Sequence, residues 1–105
     1  MIMVSTNEIP NKKIIKSLGL VKGNTIRARN VGRDLIAVFK NMIGGEIEEY
    51  TKLMAQSREQ AIDRMAADAE ALGANAIIGI NFSTTYIMAS AAEILAYGTA
   101  VIIQD

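Results

Sequence analysis

The feature that most constrains the fold is one long stretch of helical periodicity, residues 46–72, which no proline or glycine interrupts. Small or apolar side chains recur there at every third or fourth position, as they do on the buried face of an α-helix. The members of this stripe are Ile47, Tyr50, Met54, Ser57, Ala61, Met65, Ala69 and Leu72. The helix is predicted to be about 40 Å long, at the usual rise per residue. Gly73 is predicted to end it as the C′ residue.

Two apolar strands are predicted after this helix, over residues 75–82 and 94–103. Both are rich in β-branched residues and apolar at successive positions, which is typical of strands that are covered on both faces. For residues 88–96 a helix is the alternative, because Ala89, Ala91 and Ala92 are good helix formers.

In residues 12–29 apolar and polar side chains alternate, which predicts an extended strand with one solvent-exposed face. Leu18, Leu20, Ile26 and Ala28 share one parity, and Ser17, Gly19, Thr25, Arg27 and Arg29 share the other. Residues 22–25 fit a hairpin turn, and Gly23 equally fits a bulge in one long bent strand. The bent strand is favoured, because a hairpin would leave an arm of only about four residues.

A short helix of about eleven residues is predicted after Asn30, with Gly44 and Gly45 ending it. The fold class is therefore α+β: one domain over residues 1–105, with a small antiparallel-rich sheet, one short helix and one long helix. Two helices cover one face of a four- or five-stranded sheet. The other apolar face needs a second layer, so we predict that another subunit supplies it and that the chain is a homo-oligomer.

The charges are separated along the chain, although eleven basic and eleven acidic residues cancel overall. Residues 1–45 hold eight basic and two acidic residues, a net charge of +6, and residues 46–105 hold three and nine, a net charge of −6. The favoured interpretation is that the two halves face each other, within one chain or between subunits. No aromatic residue lies between Lys12 and Arg33 to stack on bases, so no nucleic-acid partner is expected.

No membrane span is expected either. The apolar stretch from Tyr86 to Ile103 carries Glu93 near its middle, and a carboxylate at the bilayer centre costs about 2.5–3.5 kcal/mol. The amino terminus lacks the basic and apolar regions of a signal peptide, which favours a cytoplasmic protein.

The sequence contains no cysteine and no histidine. A thiolate nucleophile, a thiolate metal site and the commonest general base are therefore excluded. No base is placed to activate a serine, and phosphate-binding glycine motifs are absent. Glu59 and Asp63 lie one turn apart, which we interpret as an exposed pair rather than a buried acid–base pair. We therefore predict no catalytic residue, no cofactor and no enzyme activity.

Four residues are candidate ligand contacts. Arg33 and Asp34, at the start of the short helix, have the chemistry of an anion site; the favoured alternative is that Asp34 complements the helix dipole and Arg33 pairs with an acid of a neighbouring chain. Arg58 and Glu59 are placed to face a shared axis or pocket in an oligomer. Ion pairs between helices, or a solvated helix face, are the favoured alternative for these two.

Several motifs together resemble those of the YbjQ-like family of small bacterial proteins. They are Val4–Thr6, Arg33–Asp34, Gly44–Gly45, Tyr50, Arg58–Ala61, Ala71–Ile80 and Gly98–Val101. The resemblance implies an α+β subunit that forms a ring-like homopentamer through added strands. The role of the family is not established, and its members are often described as heavy-metal-binding.

A heavy-metal site requires thiolate or imidazole ligands, and this chain has neither. Asn81 and Ser83 stand where similar proteins carry acids, and Met42, Met54 and Met65 are predicted to fill the core. The first hypothesis is a self-assembling protein without catalytic machinery. The alternative is a protein that binds a metal or a small ligand at the subunit interface or in a central channel.

Overall fold

The structure, a computed structural model, describes residues 1–28, 45–88 and 91–104. In chain order its elements are β1 (Ile2–Met3), β2 (Lys13–Ala28), α1 (Gly45–Ala71), β3 (Ala76–Met88) and β4 (Ala91–Gln104). The α+β class is confirmed, with a four-stranded mixed sheet and the long helix. The predicted short helix lies outside the described residues.

The long helix begins and ends within one residue of its predicted bounds. Ser57, Ala61, Met65 and Ala69 are completely buried, so the predicted stripe does face the sheet. The helix ends where Gly73 adopts a positive φ of 85°. There the N–H of Ala74 donates to the carbonyl of Ala69 at 3.1 Å, and the N–H of Gly73 donates to that of Glu70 at 3.0 Å. This is the hydrogen-bond pattern of a Schellman motif.

Leu72 is an exception to the predicted stripe, because its side chain is 48% exposed. The helix ends one residue earlier, so Leu72 belongs to the turn and no longer follows the helical face. The side chains of Ile47 and Tyr50 lie outside the part that the structure describes.

The strand order in the sheet is β1-β3-β4-β2. The central strand β4 runs antiparallel to β2 and β3, and β1 runs parallel to β3. Both C-terminal strands are longer than predicted, and Met88 already pairs with Ala91. The helical alternative for residues 88–96 is therefore wrong. Strands β2 and β3 both pair with β4, and this pairing stabilises the strand by more than the alanines favour a helix.

The residues of β2 form one strand, as the bent-strand interpretation predicted, and the hairpin alternative is wrong. The strand pairs with β4 from Lys13 opposite Gln104 to Ala28 opposite Ala91. Gly23 is not the bulge that was predicted, since it lies in register opposite Ala96. The register instead shifts between Ile14 and Lys16 and again between Ser17 and Gly19.

Gly23 is required for a different reason, which is the close approach of α1. A Cβ on Gly23 would overlap the carbonyl oxygen of Ala61 and the amide nitrogen of Met65. The helix therefore packs on the face of β2 that carries Val21, Gly23 and Thr25.

The predicted orientation of β2 is consequently wrong. Leu20 and Ile26 belong to the parity that was expected to face the core, yet their side chains are 69% and 53% exposed. Thr25 was predicted to lie on the solvent-exposed face, but its side chain is buried. A helix with small residues at its contact face fits closely against glycine, and this fit decides the orientation more than side-chain hydropathy does.

The core has two parts. The larger lies between α1 and the sheet and consists of Val21, Ala61, Met65, Ala69, Ile77, Ile94, Ala96 and Ala100. The smaller lies on the opposite face of the sheet, where Ile9, Ile14 and Ile78 pack against Ala76, Val101 and Ile103. The end of β4 is thus covered on both faces, whereas residues 81–86 of β3 are exposed, so the predicted cover on both faces of the two strands is observed only in part. Among residues 1–28, 45–88 and 91–104, no helix is long and apolar enough to cross a membrane.

Candidate functional site

The face of the sheet opposite α1, which we call the outer face, carries an ordered array of side chains. Its rows follow from the register of the three long strands and from the alternation of side chains along each strand. The first row is Lys22, Tyr97 and Asn81; the second is Asn24, Leu95 and Ser83; the third is Ile26, Glu93 and Thr85. This face mixes polar groups with the exposed apolar side chains of Leu20 and Ile26.

One carboxylate lies in this array. The Nδ2 atom of Asn24 donates a hydrogen bond to Oε2 of Glu93 at 3.1 Å. Glu93 is half-buried, and Thr85 is its register partner on β3. The hydrogen bond from Asn24 fixes the position of the Glu93 carboxylate. The three rows contain no second acidic side chain that could exchange a proton with it.

A groove separates α1 from β3 on the helix side of the sheet, and we call it the α1–β3 groove. Its volume is about 310 Å³, and Met3, Val4, Ser5, Ile62, Met65, Ile80 and Phe82 line it. Phe82 and Tyr86 lie on this side because their register partners are Ala96 and Ala92. Their side chains are 49% and 72% exposed. The groove and the strand beside it therefore form a second apolar surface.

The same part of β3 has a free backbone edge. The chain before β2 hydrogen-bonds only the first half of this edge: Val4 donates to Ile77 at 2.9 Å, Ile80 donates to Val4 at 3.1 Å, and Gly79 donates to Thr6 at 2.8 Å. Past Ile80, no further strand pairs with this edge of β3 in the described residues.

Of the four predicted ligand contacts, the structure describes only Arg58 and Glu59. Arg58 and Glu59 are exposed on α1, and neither lines the α1–β3 groove. The outer face lies on the other side of the sheet from this helix. Glu59 and Asp63 are both exposed, which agrees with the interpretation of this pair as a solvated one. Arg33 and Asp34 lie outside the described residues.

Sequence reasoning missed the apolar surface of β3 and the pairing of Asn24 with Glu93. Phe82 and Tyr86 alternate with Ser83 and Thr85, and this period of two was a signal that the strand continues with two different faces. The contact between Asn24 and Glu93 joins residues that are far apart in the chain, so no local pattern indicates it.

These features define a class of small α+β protein, in which one long helix packs on one face of a mixed sheet and, among the described residues, polar and apolar side chains are exposed on the opposite face. The chain belongs to the YbjQ family, whose model, described as "Putative heavy-metal-binding", matches residues 1–104. The predicted family resemblance is confirmed.

Relatives and a solved structure agree with this assignment. A UPF0145 protein of Dehalococcoides mccartyi is 54% identical over 104 residues, which cover 99% of this chain and 100% of the relative. A UPF0145 protein of Clostridioides difficile is 51% identical over 105 residues, which cover 100% and 94%. A crystal structure of a protein of unknown function from Pediococcus pentosaceus, assigned to the DUF74 family, has a TM-score of 0.67 at 16% identity. The match covers 99% of this chain and 98% of that one, and it supports the fold.

The residues of this chain do not fit a heavy-metal centre. Soft metal ions are bound by thiolate and imidazole, and the sequence contains neither cysteine nor histidine. In the described ranges no three acidic residues gather where they could hold an ion. The thioether of Met65 is completely buried in the core, and that of Met54 packs against the same core.

Proposed function

We propose that this chain is a self-assembling, non-enzymatic subunit that forms a cytoplasmic homo-oligomer. Five copies is the number that the family resemblance implies. The observation that carries the proposal is a group of large apolar side chains left exposed on the three long strands, among them Leu20, Ile26, Phe82 and Tyr86.

These side chains occupy both faces of the sheet, where a neighbouring subunit would cover them. Burying one large apolar side chain contributes about 1.5–3 kcal/mol, so four of them are a substantial driving force. Among the described strands none pairs with β3 past Ile80, and backbone groups without a strand partner favour pairing with another strand. Opposite net charges of the two halves of the chain allow copies to attract one another.

The proposed absence of catalysis is supported by the chemistry of the side chains. The sequence lacks histidine and cysteine, and the outer face holds Glu93 paired with an amide rather than with a base. The absence of cysteine also means that folding needs no oxidising compartment, which is compatible with the cytoplasm.

The second candidate function is binding of a small ligand at the subunit interface, and Glu93 is the observation that favours it. A neighbour that covers the outer face would remove this carboxylate from water, and a buried carboxylate needs a cation or hydrogen-bond donors. A small cationic ligand would meet that need. Arg33, Asp34, Arg58 and Glu59 stay proposed contributors to such an interface.

Sedimentation equilibrium of the tag-free protein tests the assembly. We expect a mass five times the 11.3 kDa of the chain. The double variants Leu20→Ser with Ile26→Ser, and Phe82→Ser with Tyr86→Ser, are expected to lower this mass. Leu72→Ser is the control, because Leu72 is also a large exposed apolar residue but lies in the turn after α1. A folded wild-type protein that sediments as a monomer would overturn the proposal.

A further inference from the structure

The α1–β3 groove exists because the helix is held towards the other side of the sheet. Gly23 of β2 lets the backbone of α1 lie directly against that strand, at Ala61 and Met65. Strand β4 lies between β2 and β3, so β2 and β3 are about 10 Å apart at the usual strand spacing. A helix with its side chains is about 10–12 Å wide. A helix that lies against β2 therefore reaches β4 and leaves space above β3.

The chain before β2 forms the other wall of this space. The N–H of Val4 donates to the carbonyl of Ile77 at 2.9 Å, and the carbonyl of Val4 accepts from the N–H of Ile80 at 3.1 Å. The carbonyl of Thr6 accepts from the N–H of Gly79 at 2.8 Å. Backbone contacts thus hold both walls in place, and the groove is formed before a ligand enters it, as is usual for small-molecule sites.

The lining of the groove is uncharged and largely apolar. Of the seven described residues that line it, six have apolar side chains, and Ser5 supplies a hydroxyl group. The side chains of Ile62 and Ile80 are half-buried. Met3 and Met65 also belong to the lining, and methionine adapts its shape to irregular apolar partners. Charge complementarity therefore favours an uncharged ligand, because an ion in the groove would lose water without gaining a charged partner.

The size of the groove favours a small molecule over a protein. Its volume is about 310 Å³, near the lower end of the range of about 300–1,000 Å³ for small-molecule pockets. A stable protein interface buries about 800 Å² on each partner and involves about 20–30 residues a side. The seven lining residues are too few for such an interface.

We propose that the α1–β3 groove binds one small uncharged molecule with an apolar body, whose single polar group hydrogen-bonds the hydroxyl of Ser5. The described lining residues all belong to one chain, so this site does not rest on the proposed self-assembly. It also differs from the ligand site proposed at Glu93, which lies on the outer face and would take a cation. A molecule in the groove would cover part of Met3, whose side chain is 41% exposed.

A matched pair of fluorescent probes tests the chemistry of the site on the tag-free protein. N-phenyl-1-naphthylamine is an uncharged aromatic molecule with one N–H group, and 1-anilinonaphthalene-8-sulfonate is the same molecule with an added sulfonate. We expect the uncharged probe to bind with one molecule per chain, and the sulfonate to bind at least about tenfold more weakly. Equal affinities, or no saturable binding of the uncharged probe, would overturn the proposal.

Methionine methyl resonances locate the bound probe. The protein is labelled with ¹³C at its methionine methyl groups, and Met→Leu substitutions assign the signals. The uncharged probe is expected to shift the signals of Met3 and Met65, which line the groove. Met54 is the internal control, because it lies on the same helix but is not among the described lining residues. Shifts at Met54 without shifts at Met3 would place the probe elsewhere and contradict the proposal.

Two substitutions at one position test the shape of the groove. Ile62→Trp fills the groove and is expected to abolish binding of the uncharged probe, whereas Ile62→Val leaves the groove open and is expected to bind like wild type. Leu20→Ser with Ile26→Ser removes exposed apolar side chains of the outer face and is expected to leave the affinity unchanged. If this double variant loses the probe, the outer face is the site and the proposal fails. If Ile62→Trp does not fold, the methyl signals of the wild-type protein decide.

Ser5→Ala tests the polar contact. We expect it to weaken the uncharged probe about threefold, because one hydrogen bond is lost, and Ser83→Ala on the outer face is the control. Equal affinities of these two variants would contradict the role of the Ser5 hydroxyl. Sedimentation of the same samples distinguishes this proposal from self-assembly. A monomer that binds the probe overturns only self-assembly, and an assembled protein that does not bind it overturns only the groove site.

Discussion

The side chain of Asn75 pairs with the backbone of Ile103 in both directions. Its Nδ2 atom donates to the carbonyl oxygen of Ile103 at 3.0 Å, and its Oδ1 atom accepts from the N–H of Ile103 at 2.7 Å. Asn75 lies immediately before β3. Its side-chain amide makes the two hydrogen bonds to β4 that the backbone of one more β3 residue would make. One side chain therefore extends the sheet at the point where the turn after α1 leads into β3.

Asn75→Ala is expected to lower the free energy of unfolding by about 2 kcal/mol, because both backbone groups of Ile103 lose a partner in a half-buried position. Asn75→Asp is expected to be at least as harmful, since its carboxylate cannot donate to the carbonyl oxygen. Urea denaturation at a fixed protein concentration measures both. Asn81→Ala is the control, because that amide is exposed and hydrogen-bonds only to nearby Gly79 among the described contacts. Similar losses for Asn75→Ala and Asn81→Ala would contradict the prediction.

Gly23→Ala is expected to destabilise the fold by about 3 kcal/mol, because an added Cβ overlaps the backbone of α1 and overpacking of this kind forces the backbone to shift. The helix must then move away from β2. Thermal unfolding followed by circular dichroism measures the loss. Lys22→Ala at the neighbouring exposed position is the control and is expected to be nearly neutral. A Gly23→Ala protein as stable as wild type would show that the helix does not lie against the strand.

Thr25→Val is expected to stabilise the protein by about 1 kcal/mol, because a buried hydroxyl without a partner is unfavourable. The side chain of Thr25 is 2% exposed, and its Oγ1 atom has no hydrogen-bond partner in the structure as described. Valine has nearly the same shape and removes only the polar atom. Thr25→Ser keeps the hydroxyl and loses the methyl group, so it is expected to destabilise. Denaturant midpoints of the three proteins give the comparison, and a loss of stability in Thr25→Val would mean that the hydroxyl is bound.

Heavy metals are expected to bind without defined stoichiometry, despite the description of the family. The chain has no thiolate or imidazole to offer them. Equilibrium dialysis of tag-free protein against Zn²⁺, Cd²⁺ or Cu⁺, followed by elemental analysis, measures the bound metal. Chelation is expected to leave the melting temperature unchanged. One tightly held ion per subunit, or per assembly, would contradict this expectation.

The candidate surfaces were only partly predictable. The need for a partner was inferred from the apolar strands, but the side chains that carry the proposal, such as Phe82 and Tyr86, were not identified. Their exposure depends on where α1 lies across the sheet. Arg58 and Glu59 are exposed on α1, and their role in a shared site stays a prediction.

The sequence by itself determined the long helix, its buried stripe from Ser57 to Ala69 and its end at Gly73. Each of these depends on residues within a few turns of one another, so local periodicity and backbone preference are sufficient. Only the tertiary structure decided which face of β2 is covered. That choice depends on the contact between Gly23 and Ala61, which lie on different elements, so no local pattern indicates it. Close packing between the two backbones decides which face of β2 is buried, although Leu20 and Ile26 are the more apolar side chains.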